Sequence, residues 1–179
     1  MDPITTVQLI ALLVMLGLAV VSDLRERRIP NRVTVWGAVC GLVLSALAVG
    51  GVPSSAILGV LTALGLSVPA FALGVLGAGD AKLLAAVAAF VGLAALPSVL
   101  LYGGLAGGIL GLVSSVQRGT VIPVLLNLPG TFVYVATFGR RGTRQSIEDP
   151  NARTIPYGVA IAAGAVAAWF MPLSFGGAA

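Results

Sequence analysis

Residues 81–116 read AKLLAAVAAFVGLAALPSVLLYGGLAGGILGLVSSV and contain one charged side chain, that of Lys82. Because a helix needs about 20 apolar residues to cross the hydrocarbon core of a bilayer, a run of this length is expected to cross it twice. Pro97 lies near its middle, and proline interrupts the hydrogen bonding of a helix interior. The pattern therefore predicts a short helix over 81–96, a turn at Pro97 and a second helix over 97–116.

The rest of the chain has the same character. Of its 179 residues, 58% are hydrophobic and 9% are charged, and the mean hydropathy is +1.07, whereas a soluble domain carries about 25% charged residues. We therefore predict an all-α, polytopic membrane protein that forms a single domain over 1–179, with about six transmembrane helices. The predicted spans are 4–21, 33–49, 54–76, 81–96, 97–116 and 154–171. Residues 117–153 are expected to form a cytoplasmic or interfacial loop, because prolines interrupt its apolar first half and its second half is polar.

The basic residues indicate the orientation of these spans. The chain has ten Lys and Arg against six Asp and Glu, a formal net charge of +4. With six spans, the basic side chains fall on one side of the membrane: Arg25, Arg27, Arg28, Arg32, Lys82, Arg118, Arg140, Arg141, Arg144 and Arg153. Because cytoplasmic loops are enriched in Lys and Arg, this side is expected to be the cytoplasmic face of the inner membrane, with both termini outside. The positive charge is thus explained by topology and does not indicate a nucleic-acid partner.

The residues that are missing exclude several kinds of site. The chain has one cysteine, Cys40, and no histidine. A disulfide within the chain, a paired-cysteine zinc site and catalysis by a Ser-His or Cys-His pair are therefore excluded. No metal and no cofactor are predicted. Any chemistry must come from carboxylates, hydroxyls, lysine or arginine.

Two of the aspartates lie where an apolar helix meets its loop. Asp23 follows the first apolar run and Asp80 lies between the third and the fourth. Carboxylates at membrane depth are costly and are candidates for function. Two carboxylates brought together tend to share one proton, so that one can act as a general base toward water and the other as a general acid. This is the chemistry of the aspartic proteases, which need neither metal nor histidine.

Simpler interpretations exist for both acids and for the residues around them. Asp80 could only start a helix, and the glycines before it, Gly77 and Gly79, could reflect the abundance of glycine in this chain. Asp23 could lie in a solvated loop and pair with an arginine four residues later. Lys82 could extend its ammonium group to the membrane surface, or it could adjust the protonation of Asp80. If the glycines have a function, they permit a tight turn and the close approach of a peptide backbone.

Three segments together resemble a known family. SDLRERRIPN at 22–31, GAGDAKLLAA at 77–86 and IPYGVAIAAG at 155–164 are similar to motifs of the short type IV prepilin peptidases, which are GxGD intramembrane aspartic proteases. The resemblance implies that Asp23 and Asp80 are the catalytic pair and that Gly77 and Gly79 are the motif glycines. Pro156, Tyr157 and Gly158 would correspond to a late PxG element that supports the site. The implied partners are membrane lipid and prepilins or pseudopilins, cut after a glycine at the cytoplasmic face.

The chain also departs from the longer members of that family. Those members carry an N-terminal cytoplasmic segment with paired cysteines that is associated with N-methylation, whereas this sequence begins with an apolar helix. The resemblance therefore implies a peptidase without methyltransferase activity, closer to the peptidases of tight-adherence (Flp) pili or to preflagellin peptidases. A different class of function is also open at this point, a proton-coupled carrier or channel in which the two aspartates relay protons.

Overall fold

All regular structure in the described part of the chain is helical, as the sequence predicts. The computed structural model describes residues 2–74, 76–117, 119, 137 and 157–173. Within these residues five helices follow one another: α1 (Pro3–Glu26), α2 (Asn31–Val49), α3 (Ser54–Ala72), α4 (Ala78–Gln117) and α5 (Tyr157–Phe170). By length and composition, the first four can cross a membrane, and α5 is a shorter apolar helix. The predicted loop at 117–153 lies outside the described residues except for 117, 119 and 137.

The break within α4 occurs at Gly92, and the predicted turn at Pro97 is wrong. Gly92 has φ 73° and ψ 179°, a backbone conformation outside the helical region that glycine adopts readily because it has no Cβ. The backbone N–H of Leu93 donates to Ser55 Oγ at 3.1 Å, so a side chain from the start of α3 holds the break. Pro97 lies inside the helix that follows. We call residues 78–91 the short arm of α4 and residues 93–117 its long arm.

The chain reverses direction at this break. In the short arm, a Cβ added to Gly79 would lie 3.4 Å from Ile29 Cβ, in the connection between α1 and α2. In the long arm, a Cβ added to Gly107 would lie 2.8 Å from the ring of Tyr157, the first residue of α5. The next residue of α5 is Gly158, and a Cβ added there would lie 3.3 Å from Ile29 Cδ1. The beginning of the short arm and the later part of the long arm thus lie at the same end of the bundle. Among the described residues, six helical segments therefore alternate in direction, which is the number of spans that the sequence predicts.

The short arm is the centre of the bundle. Residues 83–90 are all buried, and small side chains on both sides let the neighbouring helices approach closely. A Cβ at Gly41 of α2 would lie 2.9 Å from Ala89 Cβ, and one at Gly59 of α3 would lie 3.0 Å from the carbonyl carbon of Gly92. At 1.5 Å per residue the short arm is only about 20 Å long. In a bilayer with a hydrocarbon core about 30 Å thick, at least one of its ends lies at membrane depth.

Polar side chains satisfy the backbone groups that the break exposes. Ser45 Oγ donates to the carbonyl oxygen of Ala89 at 2.9 Å, and Gln8 Nε2 donates to that of Phe90 at 2.7 Å. Gln8 also donates to Ser45 Oγ at 3.1 Å, and both side chains are buried. Since unpaired backbone groups are costly in hydrocarbon, this network explains how a helix can stop at this depth.

The long arm and α5 pack backbone against backbone. A Cβ at Gly164 would lie 2.6 Å from Gly103 Cα and 2.8 Å from the carbonyl oxygen of Val99. At the other end of α5, the backbone N–H of Leu173 donates to Ser98 Oγ at 3.0 Å. This antiparallel pairing sets the position of the first residues of α5, which reach the end of the bundle where Asp23 lies.

Candidate functional site

Asp23 lies in the last turn of α1 and is buried. Its side chain is 8% exposed, and its Oδ2 accepts a hydrogen bond from the backbone N–H of Gly158 at 3.0 Å. The helix continues past it to Glu26, and Arg27, whose φ is 51°, ends the helix by donating its backbone N–H to the carbonyl oxygen of Asp23. The interpretation of Asp23 as a residue of a solvated loop is therefore wrong. Its carboxylate faces the start of α5.

Asp80 lies in the first turn of α4, half-buried, and within electrostatic range of Asp23. Its carboxylate accepts a hydrogen bond from the backbone N–H of Gly77. The N-terminus of a helix carries partial positive charge, which favours a carboxylate in this position. Asp80 thus has the helix-start role considered above, and its carboxyl group is also within electrostatic range of the second acid. The structure brings together the two aspartates that the sequence analysis selects.

Each glycine of the GAGD segment leaves room for a different neighbour. A Cβ at Gly77 would lie 2.7 Å from Asp80 Oδ2, so this glycine gives space to the carboxylate itself. Gly79 instead faces Ile29, and a Cβ added to this glycine would lie 3.4 Å from Ile29 Cβ. At both positions the missing side chain therefore makes room for a neighbouring residue of the same protein.

Ile29 is a contact residue that the sequence analysis misses. It is 8% exposed, and it lies between Gly79 of α4 and Gly158 of α5. The connection between α1 and α2 thereby holds the two elements that carry the site glycines. A signal is present in the sequence, because Ile29 is an apolar residue that directly follows four charged residues at 25–28.

Tyr157 and Gly158 bring the beginning of α5 to the two acids. The phenol of Tyr157 is within electrostatic range of Asp80, and its ring packs over Gly107 of the long arm. Gly158 is buried, and a Cβ there would lie 2.7 Å from Asp23 Oδ2. Pro156, the remaining residue of the predicted late motif, lies outside the described residues.

The comparison with known families agrees with this arrangement. The sequence model of the type IV leader peptidase family matches residues 10–112, more than half of the chain. The chain belongs to the type IV leader peptidase family. Neither a curated protein nor a solved structure matches the chain significantly. Membership of the leader peptidase family implies a protease whose substrates are of the prepilin type.

The family match covers most of the candidate site of this leader peptidase but not the part that α5 contributes. The matched range includes Asp23, Asp80 and both motif glycines, and it ends before α5 begins. The contact between Gly158 and Asp23 therefore adds a third element that lies outside the match. Among the described residues, α1, α4 and α5 thus each contribute one part of the candidate site.

Lys82 points away from the two acids of this leader peptidase. Its Nζ donates to Asn31 Oδ1 at 2.9 Å, in an exposed contact at the start of α2. Residues two apart on a helix do not face each other, so Asp80 and Lys82 lie on different sides of α4. The contact joins the beginnings of α2 and α4, which agrees with a surface position for the ammonium group.

Proposed function

We propose that this leader peptidase cleaves the basic leader of type IV prepilins or pseudopilins after a glycine, and that Asp23 and Asp80 activate the attacking water. The observation that carries the proposal is that two carboxylates from separate helices lie within electrostatic range of each other at one end of the bundle. A backbone N–H from a third helix orients one of them. Paired carboxylates are sufficient for peptide hydrolysis, as in the aspartic proteases.

In this mechanism the two acids divide the proton transfers. One carboxylate removes a proton from water as the water oxygen attacks the carbonyl carbon of the glycine before the cleaved bond. The other acid gives its proton to the amide nitrogen as the C–N bond breaks. The products are a leader that ends in a glycine carboxylate and a mature chain with a new amino terminus. The net reaction consumes one water.

We also propose that the site lies at the cytoplasmic face. Arg25, Arg27, Arg28 and Arg32 are exposed in and around the connection between α1 and α2, at the end of the bundle that holds both aspartates. Lys82 is exposed at the same end. Because Lys and Arg are enriched on the cytoplasmic side, this end faces the cytoplasm. A basic leader would then approach the site from the side on which it is synthesised.

The proposal is tested with the full chain in liposomes and a synthetic peptide that has a basic leader, a glycine and a following apolar helix. We expect one new amino terminus directly after the glycine, identified by mass spectrometry. A pH-sensitive dye inside the liposomes measures proton flux in the same preparation. Proton flux without any cleavage would refute the peptidase and favour the proton-coupled carrier.

The contact between Gly158 and Asp23 gives a second test. In Gly158→Ala the new Cβ would lie 2.7 Å from Asp23 Oδ2 and 3.2 Å from its Cγ, so the carboxylate has to move. A displacement of about 1 Å can lower catalysis about 10²-fold, and we expect a loss of kcat/KM of that size with a nearly unchanged melting temperature. Gly65→Ala is the matched control, because an added Cβ at Gly65 meets nothing within 4 Å. Equal activities of the two variants would contradict the role of Gly158.

A further inference from the structure

An apolar cavity lies one helical turn beyond Asp80 along the short arm of α4, where Leu84 forms part of its wall. It has a volume of about 140 Å³ and lies between α3, both arms of α4 and α5. Its walls include Leu84, Val99 and Ile161, all buried. The hydroxyl of Ser67, which also lines it, already donates to the carbonyl oxygen of Ala63 at 2.6 Å. Because the hydroxyl of Ser67 is already hydrogen-bonded, the surface that the cavity presents to a bound group is mainly apolar.

Three residues of the cavity wall connect the cavity to the candidate site. Leu84 lies four residues after Asp80 in the short arm, and residues at this spacing are on the same face of a helix, about 5–6 Å apart between their Cβ atoms. Tyr157 lines the cavity and is within electrostatic range of Asp80. Leu76 lines it as well and directly precedes Gly77. The wall of the cavity thus begins about one helical turn from Asp80.

We infer that this cavity binds the first apolar side chain after the cleaved bond and selects substrates by the size of that side chain. The inference rests on the proposed function, because it requires cleavage after a glycine. Glycine has no side chain to fill a cavity, whereas the residue after it begins the apolar helix of the substrate. The apolar side chain nearest to the cleaved peptide bond therefore belongs to the first residue of the mature protein.

The volume of the cavity sets the size of the group. A dry cavity of about 150 Å³ lined by apolar side chains binds benzene, so a space of about 140 Å³ accommodates one leucine or phenylalanine side chain. An alanine would leave most of the space unfilled and would lose the corresponding contacts in the transition state. Discrimination of this kind in an apolar pocket amounts to about 10–200-fold.

The test uses peptides that differ only in the residue after the glycine, namely leucine, phenylalanine, alanine or tryptophan. For the wild-type protein we expect kcat/KM with leucine or phenylalanine to exceed that with alanine by about 10–200-fold. In Ser67→Leu the new side chain occupies the cavity, and we expect the ratio of leucine to alanine to fall to near one. The ratio is independent of how much protein is folded. Thr62→Leu is the matched control, since Thr62 is exposed on the same helix and does not line the cavity, and it should keep the wild-type ratio.

A second variant changes the cavity in the opposite direction. Leu100 is 38% exposed and lines the cavity, and Leu100→Ala should raise the relative rate with tryptophan. Equal rates with leucine and alanine in the wild type, or an unchanged ratio in Ser67→Leu, would overturn the assignment of the cavity. Failure to cleave any of the peptides would instead refute the proposed function and, with it, this inference.

Discussion

Replacing Asp80 by asparagine is expected to lower leader cleavage by about 10³-fold or more. Asparagine has nearly the same shape as aspartate and can still accept the hydrogen bond from the backbone N–H of Gly77, so the start of α4 should form as before. It can neither take a proton from water nor give one to the leaving amine. Removal of a general acid or base costs about 10²–10⁴-fold, and here the two acids have to act together.

The same loss of cleavage is expected for Asp23→Asn, because the two carboxyl groups act together as base and acid in one reaction. Residues that act as a unit are strongly non-additive, so the double variant should be about as inactive as each single one. Asp2→Asn is the matched control, since Asp2 is exposed before the first turn of α1. Cleavage is measured with the leader peptide in liposomes, and melting temperatures show whether each variant is folded. Substantial cleavage by either folded variant at Asp23 or Asp80 would refute the two-aspartate mechanism.

A large loss of stability is expected for Gly164→Ala. The added Cβ would collide with the backbone N of Gly103, and it would lie 2.6 Å from Gly103 Cα and 2.8 Å from the carbonyl oxygen of Val99. All of these are backbone atoms, so the long arm of α4 and α5 have to separate. Overpacking of this kind costs about 1–3 kcal/mol, which corresponds to a fall in melting temperature of roughly 2–12 °C for a chain of this size.

Gly108→Ala is the matched control for this prediction. Gly108 is also in the long arm, and an added Cβ there meets nothing within 4 Å. Its melting temperature should stay at or above that of the wild type, because alanine is the better helix former. Thermal unfolding in detergent gives both values. A Gly164→Ala variant as stable as Gly108→Ala would show that the two helices are not packed backbone against backbone.

The effect of Gly164→Ala on cleavage should differ from that of Asp80→Asn. Separation of α5 from the long arm moves Gly158, which holds Asp23 through its backbone N–H. Activity and stability should therefore fall together in Gly164→Ala, whereas Asp80→Asn should lose activity alone. The two variants distinguish a residue that supports the site through packing from one that takes part in the chemistry.

Much of the fold can be predicted from composition and pattern. Apolar runs about 20 residues long can be satisfied only as helices in lipid, so the helical class and the number of crossings follow from the amino acids. The first membrane span is predicted over 4–21, whereas helix α1 continues to Glu26 through the mostly polar residues 22–26. Hydropathy reports where the lipid ends, and a helix can extend beyond that point.

The site can be predicted only in part. Asp23 and Asp80 stand out because carboxylates beside apolar helices are rare, and the motif glycines stand out because they precede one of these acids. The roles of the glycines and of Ile29 could not be predicted, because they depend on contacts between distant segments. Gly158 and Asp23, for example, are 135 positions apart in the chain and are joined by one hydrogen bond.

The amino-acid sequence by itself determined that this protein is a helical membrane protein and which two acids stand out in it, because both properties depend on the solvation of individual residues. Only the tertiary structure decided where the long apolar run breaks. Proline at position 97 has the stronger local tendency to interrupt a helix, yet the break is at Gly92, where Gln8, Ser45 and Ser55 from three other helices accept and donate the exposed backbone hydrogen bonds. In lipid, a break is stable only where such partners converge.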